Sequence, residues 1–225
     1  MVYRKNNGDV GALDYREKAP KAATKNMYLD SLGNVIPGKS TLGANAIGVP
    51  GSVAGILAVH QKFGALPLSE IMAPVIRLAE KGVVVTERQA HNLKHFQKVI
   101  VQENGDSTLF AKTFHKGDTI KYPALAKTLR NISENGRDGF YTGETARKLA
   151  AFIQEKGGLV TEEDLEAYEA VWRQPIIFHY RDIRIISMSP PSSGGVTMEQ
   201  ILRMMEPFEV GELGHNTEKY IQLFS

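Results

Sequence analysis

Ile183-Arg184-Ile185-Ile186-Ser187-Met188-Ser189-Pro190-Pro191-Ser192-Ser193-Gly194-Gly195-Val196-Thr197-Met198-Glu199-Gln200-Ile201-Leu202-Arg203-Met204-Met205 carries three conformational instructions in one uninterrupted stretch. Its first six residues are short, β-branched and mostly apolar, the composition of a buried strand. From Val196 onward, Val196, Met198, Ile201, Leu202 and Met205 recur at helical spacing. Between the two, the prolines end the ladder because they lack a backbone donor. The glycines then allow a tight turn into the helix. The Ser192 and Ser193 hydroxyls with the Gly194 and Gly195 amides suit either an anion at a helix start or close backbone packing, and packing is the reading preferred.

Upstream of this stretch the chain reads as helix-rich α+β. Ile176 to Tyr180 pairs with Ile183 to Met188 as a hairpin around Arg181-Asp182. Helices are expected from Ser52 to Phe63, from a Ser69 cap to Gly82, and from a Thr86/Gln89 capping box to about Val99. Others run from Pro123 to near Gly136, from Thr142 or Gly143 to Lys156, and from a Thr161 cap to Tyr168. Residues 21–50 are rich in Gly, Asn and Pro and read as an extended loop. Met1 to Arg4 is expected to pair with Val10 to Tyr15 across Asn6-Asn7-Gly8-Asp9. No repeat or domain boundary stands out, so residues 1–225 read as a single partial domain. It comprises edge strands in Met1–Pro20, a helical region in Ser52–Tyr168, and a hairpin, loop and helix in Trp172–Met205. Trp172 and Tyr168 read as core closers. Both ends look cut, with Ile221 and Phe224 on a helical face that needs a partner.

Composition narrows the function classes. The 27 Lys and Arg against 25 Asp and Glu leave a near-neutral chain, without the basic block or basic–aromatic alternation of a nucleic-acid binder. No apolar run approaches the ~20 residues that span a bilayer. With no cysteine, disulfides and thiolate metal sites are impossible. A chain of this length can bury roughly 70% of its unfolded surface in one domain.

Near the start, Gly11-Ala12-Leu13-Asp14-Tyr15-Arg16-Glu17-Lys18-Ala19-Pro20 sets one arginine in an extended segment. Taken alone, Arg16 is most simply an ion-pair partner of Asp14, Glu17 or a distant acid. This segment and the Pro-Pro-Ser-Ser-Gly-Gly loop, in that order, resemble the large subunit of γ-glutamyltransferase (glutathione hydrolase). Met27-Tyr28-Leu29-Asp30, Gly48-Val49-Pro50-Gly51-Ser52-Val53-Ala54-Gly55, Lys156-Gly157-Gly158-Leu159-Val160-Thr161, Glu163-Asp164-Leu165 and Tyr168 extend the resemblance over essentially the whole chain.

The resemblance implies an incomplete N-terminal-nucleophile hydrolase fold, four layers α-β-β-α, lacking its small subunit. It implies cleavage of γ-glutamyl amides such as glutathione through a threonine acyl-enzyme, with no cofactor or metal. It implies that Arg16 grips the α-carboxylate of the donor, for which a guanidinium's planar fork is suited. The nucleophilic threonine and the glycine-rich segments of the small subunit are expected outside this chain, which therefore reads as an internal large-subunit piece without turnover of its own. The missing small subunit is the implied partner, and the family resemblance implies a periplasmic or secreted location. A cephalosporin-acylase-like amidase on the same scaffold, or a non-catalytic binding or assembly module, stands as the alternative.

Several other patterns imitate chemistry. Thr113-Phe114-His115 looks like the family's Thr-x-His start, but Lys116-Gly117-Asp118 and a further helix follow instead of a long strand. Gly33-Asn34-Val35-Ile36-Pro37-Gly38-Lys39-Ser40 satisfies the phosphate-loop spelling, yet the glycines and proline of residues 41–50 preclude the helix it needs. His91 and His95 share a helix face without the acid or third ligand of a zinc site. Asn131-Ile132-Ser133 matches a glycosylation acceptor but lies in an expected helix. No Gly-x-Ser-x-Gly elbow is present.

Overall fold

The structure is a computed structural model describing residues 1–225. In chain order, strands β1 (Val2–Arg4) and β2 (Val10–Asp14) precede helices α1 (Ser52–Phe63) and α2 (Leu68–Lys81). Strand β3 (Val83–Val84), helix α3 (Glu87–Asn104), strand β4 (Thr119–Ile120) and helix α4 (Pro123–Asn135) follow. Then come α5 (Asp138–Tyr141), α6 (Gly143–Glu155), α7 (Glu162–Glu166), and strands β5 (Val171–Arg173), β6 (Ile176–Tyr180) and β7 (Ile183–Ser187). Helices α8 (Gly194–Met205) and α9 (Glu218–Phe224) complete the order. The chain groups into two compact units, one of Arg16–Glu169 and one of Met1–Tyr15 with Ala170–Ser225.

The Arg16–Glu169 unit is helical. Its core gathers Val49, Tyr141, Ala146, Ala150, Ile153, Val160, Leu165 and Tyr168. The small alanines of α6 let Tyr141 and Tyr168 lie parallel, ring centres 5.9 Å apart. Local signals set the helix ends. Thr86 and Gln89 form the expected capping box on α3, and Thr161 and Asp164 form another on α7. Pro123 opens α4 and Gly136 closes it. Some boundaries depart from expectation, α7 among them, which ends at Glu166 rather than Tyr168. Ser69 makes no cap, because Pro67 already fixes the entry to α2 and Ser69 falls inside the first turn. Helix α3 runs past Val99 to Asn104, where Gly105 at φ 85° stops it; no residue between the two breaks it.

Helix α1 starts at Gly51 without a capping side chain of its own. The Tyr141 phenol supplies one from afar, accepting from the Ala54 amide at 3.1 Å and donating to the Pro50 carbonyl at 2.8 Å. Burial raises the pKa of that phenol, outweighing the Ala54 amide and the Arg137 charge, so it stays neutral.

In the second unit, β1, β2 and β5 form an antiparallel sheet with β2 central, and β6 and β7 form a separate hairpin. Both expected hairpins are present; the β6–β7 turn sits at Arg181-Asp182, where Arg181 takes φ 53°. Strand β2 is buried along Gly11–Asp14. Trp172 on the edge strand β5 is not a core closer: it stays 37% exposed, with Tyr3 edge-on at 6.0 Å. An edge strand offers its side chains only one covered flank, which leaves a large indole partly in water.

The strand–loop–helix passage follows the sequence pattern. A Cβ on Gly195 would meet the Met188 carbonyl at 2.5 Å and Ser187 Cβ at 3.1 Å. Glycine is there because the helix start lies against the strand end, as the packing reading holds. Ser193, at the start of α8, makes no side-chain cap.

Candidate functional site

Asp14 closes β2 as a buried carboxylate, and Arg173 of β5 meets its Oδ2 with Nε at 2.9 Å and Nη2 at 2.8 Å. The register pairs Arg173 with Ala12, so its side chain reaches Asp14 along the same flank. Arg173 thus neutralises the acid that precedes Arg16 by two positions.

Arg16 opens a strap held against the helical unit at successive backbone positions. The Arg16 carbonyl accepts the Tyr168 phenol at 2.7 Å. Lys18 and Val49 exchange both backbone bonds, at 3.2 and 2.8 Å. The Lys21 amide donates to Asp164 Oδ1 at 2.9 Å. Gly48 lets the strap approach closely, since a Cβ there would meet the Glu17 side chain and the Lys18 carbonyl at 3.1 Å. The Lys18 ammonium lies 4.8 Å from the Tyr168 ring centre and donates to the Glu169 carbonyl at 2.8 Å.

Asp164 serves two structures at once: its Oδ2 caps α7 through Thr161, and its Oδ1 holds the strap. Burial alone would raise its pKa. The Lys21 and Thr161 amides, the Thr161 hydroxyl and the Lys21 charge together outweigh that and lower it.

On this fixed backbone the Arg16 side chain is 57% exposed and its Nη2 lies 3.3 Å from Glu17 Oε1. The guanidinium is therefore accessible, with a neighbour among the acids that the sequence offered as partners. An exposed pair of this kind contributes only about 0–1 kcal/mol.

The Tyr168 end of this bond is braced in turn. Arg137 Nη2 donates to the carbonyls of Glu166 at 2.5 Å and Tyr168 at 2.7 Å. Its Nη1 is buried without an acceptor, and the guanidinium lies 4.6 Å from the Tyr141 ring centre. The sequence reading missed Arg173, Arg137 and the Tyr168–Arg16 bond. The last joins residues 152 apart, which no local pattern signals.

The remaining patterns sort plainly. An open groove of about 660 Å³ lies between α4 and the start of α6, lined by Lys127, Asn131, Glu144 and Lys148 among others; Arg16 is not among its walls. There Lys148 and Lys127 pull the exposed Glu144 carboxyl down to about 2. Residues 33–40 form turns without the helix of a phosphate loop. His91 and His95 stack side by side on exposed α3. No three metal-binding side chains gather anywhere in the chain. Thr113 is exposed before a turn and the two-residue β4, and the Asn131 amide is engaged by the Gly139 carbonyl. No helix is long and apolar enough to cross a membrane.

The family model for gamma-glutamyltranspeptidase matches residues 1–225, the whole chain. The chain belongs to the γ-glutamyltranspeptidase family. The Escherichia coli glutathione hydrolase proenzyme is 40% identical over 229 residues, covering 100% of this chain and 40% of its own length. The crystal structure of Helicobacter pylori gamma-glutamyltranspeptidase superposes with a TM-score of 0.94 at 41% identity, over 99% of this chain and 65% of that one. The Pseudomonas nitroreducens gamma-glutamyltranspeptidase, solved in complex with L-DON, gives 0.87 at 39% identity, over 98% and 66%. The chain thus spans about 40% of the E. coli proenzyme. Its helix-rich α+β architecture is that of part of a γ-glutamyltranspeptidase, an N-terminal-nucleophile hydrolase fold.

Proposed function

We propose that this chain is part of the large-subunit region of a γ-glutamyltransferase or glutathione hydrolase, and that Arg16 grips the α-carboxylate of a γ-glutamyl donor such as glutathione. The observation that carries the reading is an exposed guanidinium on a backbone held from both ends of a strap, at Tyr168 and at Asp164. A fixed, always charged fork meets a carboxylate with two parallel bonds and little ordering cost.

In the complete protein a threonine hydroxyl attacks the γ-carbonyl while its own α-amino group takes the proton. The acyl ester forms, the amine departs with a proton, and water or an acceptor amine releases the glutamyl group. No threonine here stands in the family's nucleophile setting, so the chain alone is expected to turn nothing over. The small subunit of the precursor supplies the reactive half. A periplasmic or secreted location rests on the family resemblance alone.

The complete protein should hydrolyse a chromogenic γ-glutamyl anilide, and Arg16→Lys should cost about 10- to 100-fold in kcat/KM, because lysine keeps the charge but loses the planar pair of donors that the fork supplies. An Arg16→Lys enzyme with unchanged kinetics would remove the arginine from the donor site.

A further inference from the structure

We infer that Tyr168 is a positioning residue for donor recognition, acting through the backbone of Arg16; this rests on the carboxylate reading proposed above. Three observations converge on it. The phenol donates to the Arg16 carbonyl at 2.7 Å, so it fixes the peptide from which the guanidinium extends. The ring itself is immobilised, 2% exposed, parallel to Tyr141 at 5.9 Å, with the Lys18 ammonium 4.8 Å from its centre. Its own carbonyl is anchored by Arg137 at 2.7 Å. Rigid packing therefore runs from the helical core, through one hydroxyl, to the base of an otherwise exposed side chain.

A core tyrosine kept only for its ring could equally be phenylalanine. Here the hydroxyl reaches the one carbonyl on which the fork's aim depends. A guanidinium must present two donors in one plane, so it is sensitive to small tilts of its backbone. A lysine ammonium is a point charge with freely rotating donors and is far less so. The hydroxyl should therefore matter for arginine and much less for lysine at the same place.

The test is a double-mutant cycle in the complete, matured protein, with a chromogenic γ-glutamyl anilide as donor. Tyr168→Phe keeps the ring and removes the bond. It should raise the donor KM about three- to tenfold, with kcat within about twofold, the expected scale for one lost hydrogen bond. In the Arg16→Lys background the same substitution should change KM by less than about twofold, since only the aimed fork feels it. Equal rises in both backgrounds indicate a merely structural tyrosine and overturn the proposal. So does an unchanged KM in Tyr168→Phe, or a fall in kcat alone. If Arg16→Lys by itself raises KM but Tyr168→Phe does not, the positioning role fails while the carboxylate reading stands. If Arg16→Lys changes nothing, the carboxylate reading fails first. Should Tyr168→Phe not mature, Arg137→Lys, which loosens the Tyr168 carbonyl while leaving the phenol, takes its place in the same cycle with the same criteria.

Discussion

Arg16 and Asp14 are two positions apart and meet opposite fates. Asp14 is buried with Arg173 on one of its oxygens, whereas Arg16 stands in water beside Glu17. Removing that partner should be costly: Arg173→Met takes an arginine, itself partly exposed, away from a buried carboxylate and should destabilise the fold by about 1–3 kcal/mol, read by denaturant unfolding. Glu17→Gln, by contrast, should shift stability by less than about 1 kcal/mol. Only part of this was legible from the residues. The chemical suitability of an arginine for a carboxylate is plain in the sequence, yet the choice of this arginine came from the resemblance. Arg173 and Tyr168 lie 159 and 152 residues from their partners, and side-chain pairs at such separations leave no periodic trace.

Helix ends were the most legible elements because their signals are local. Thr161 and Asp164 are three apart and satisfy each other's orphan groups at the start of α7. Thr161→Ala should cost about 1 kcal/mol by equilibrium unfolding. Asp164 adds a pH dependence. Its folded pKa lies below the ordinary 3.8, so its stabilisation is complete above that value and is lost as pH falls through and below it. Unfolding followed from neutral pH into acid should show this limb, and Asp164→Asn should flatten it. Short elements were the ones missed. Strand β5 has three residues, all exposed, and β3 and β4 have two each; neither length nor alternation can announce them. Gly195 illustrates a signal read correctly. Gly195→Ala drives a methyl into the Met188 carbonyl and should destabilise by about 1–3 kcal/mol, detectable as a lowered Tm.

Across the whole molecule, charge is nearly balanced at +2, and the surface is notable for apolar helix faces. On α8, Met198, Ile201 and Met204 are exposed at three-residue steps, Met204 to 60%; on α9, Ile221 and Phe224 are exposed as well. Contiguous apolar surface of this kind binds hydrophobic dyes. The isolated chain should therefore enhance the fluorescence of such a dye, and Ile201→Glu should reduce it without lowering Tm. An enhancement equal in both proteins would move the dye-binding surface away from α8.

The Tyr141 hydroxyl has a consequence in time as well as space. It completes the first turn of α1 from 87 residues downstream at Ala54. During synthesis that turn must emerge from the ribosome long before its phenol exists, because translation proceeds from the amino end. A stalled nascent chain ending before Tyr141 should exchange the Ala54 amide proton rapidly. One extended well beyond α7 should protect it, so this helix acquires its finished beginning only when a later part of the message has been read.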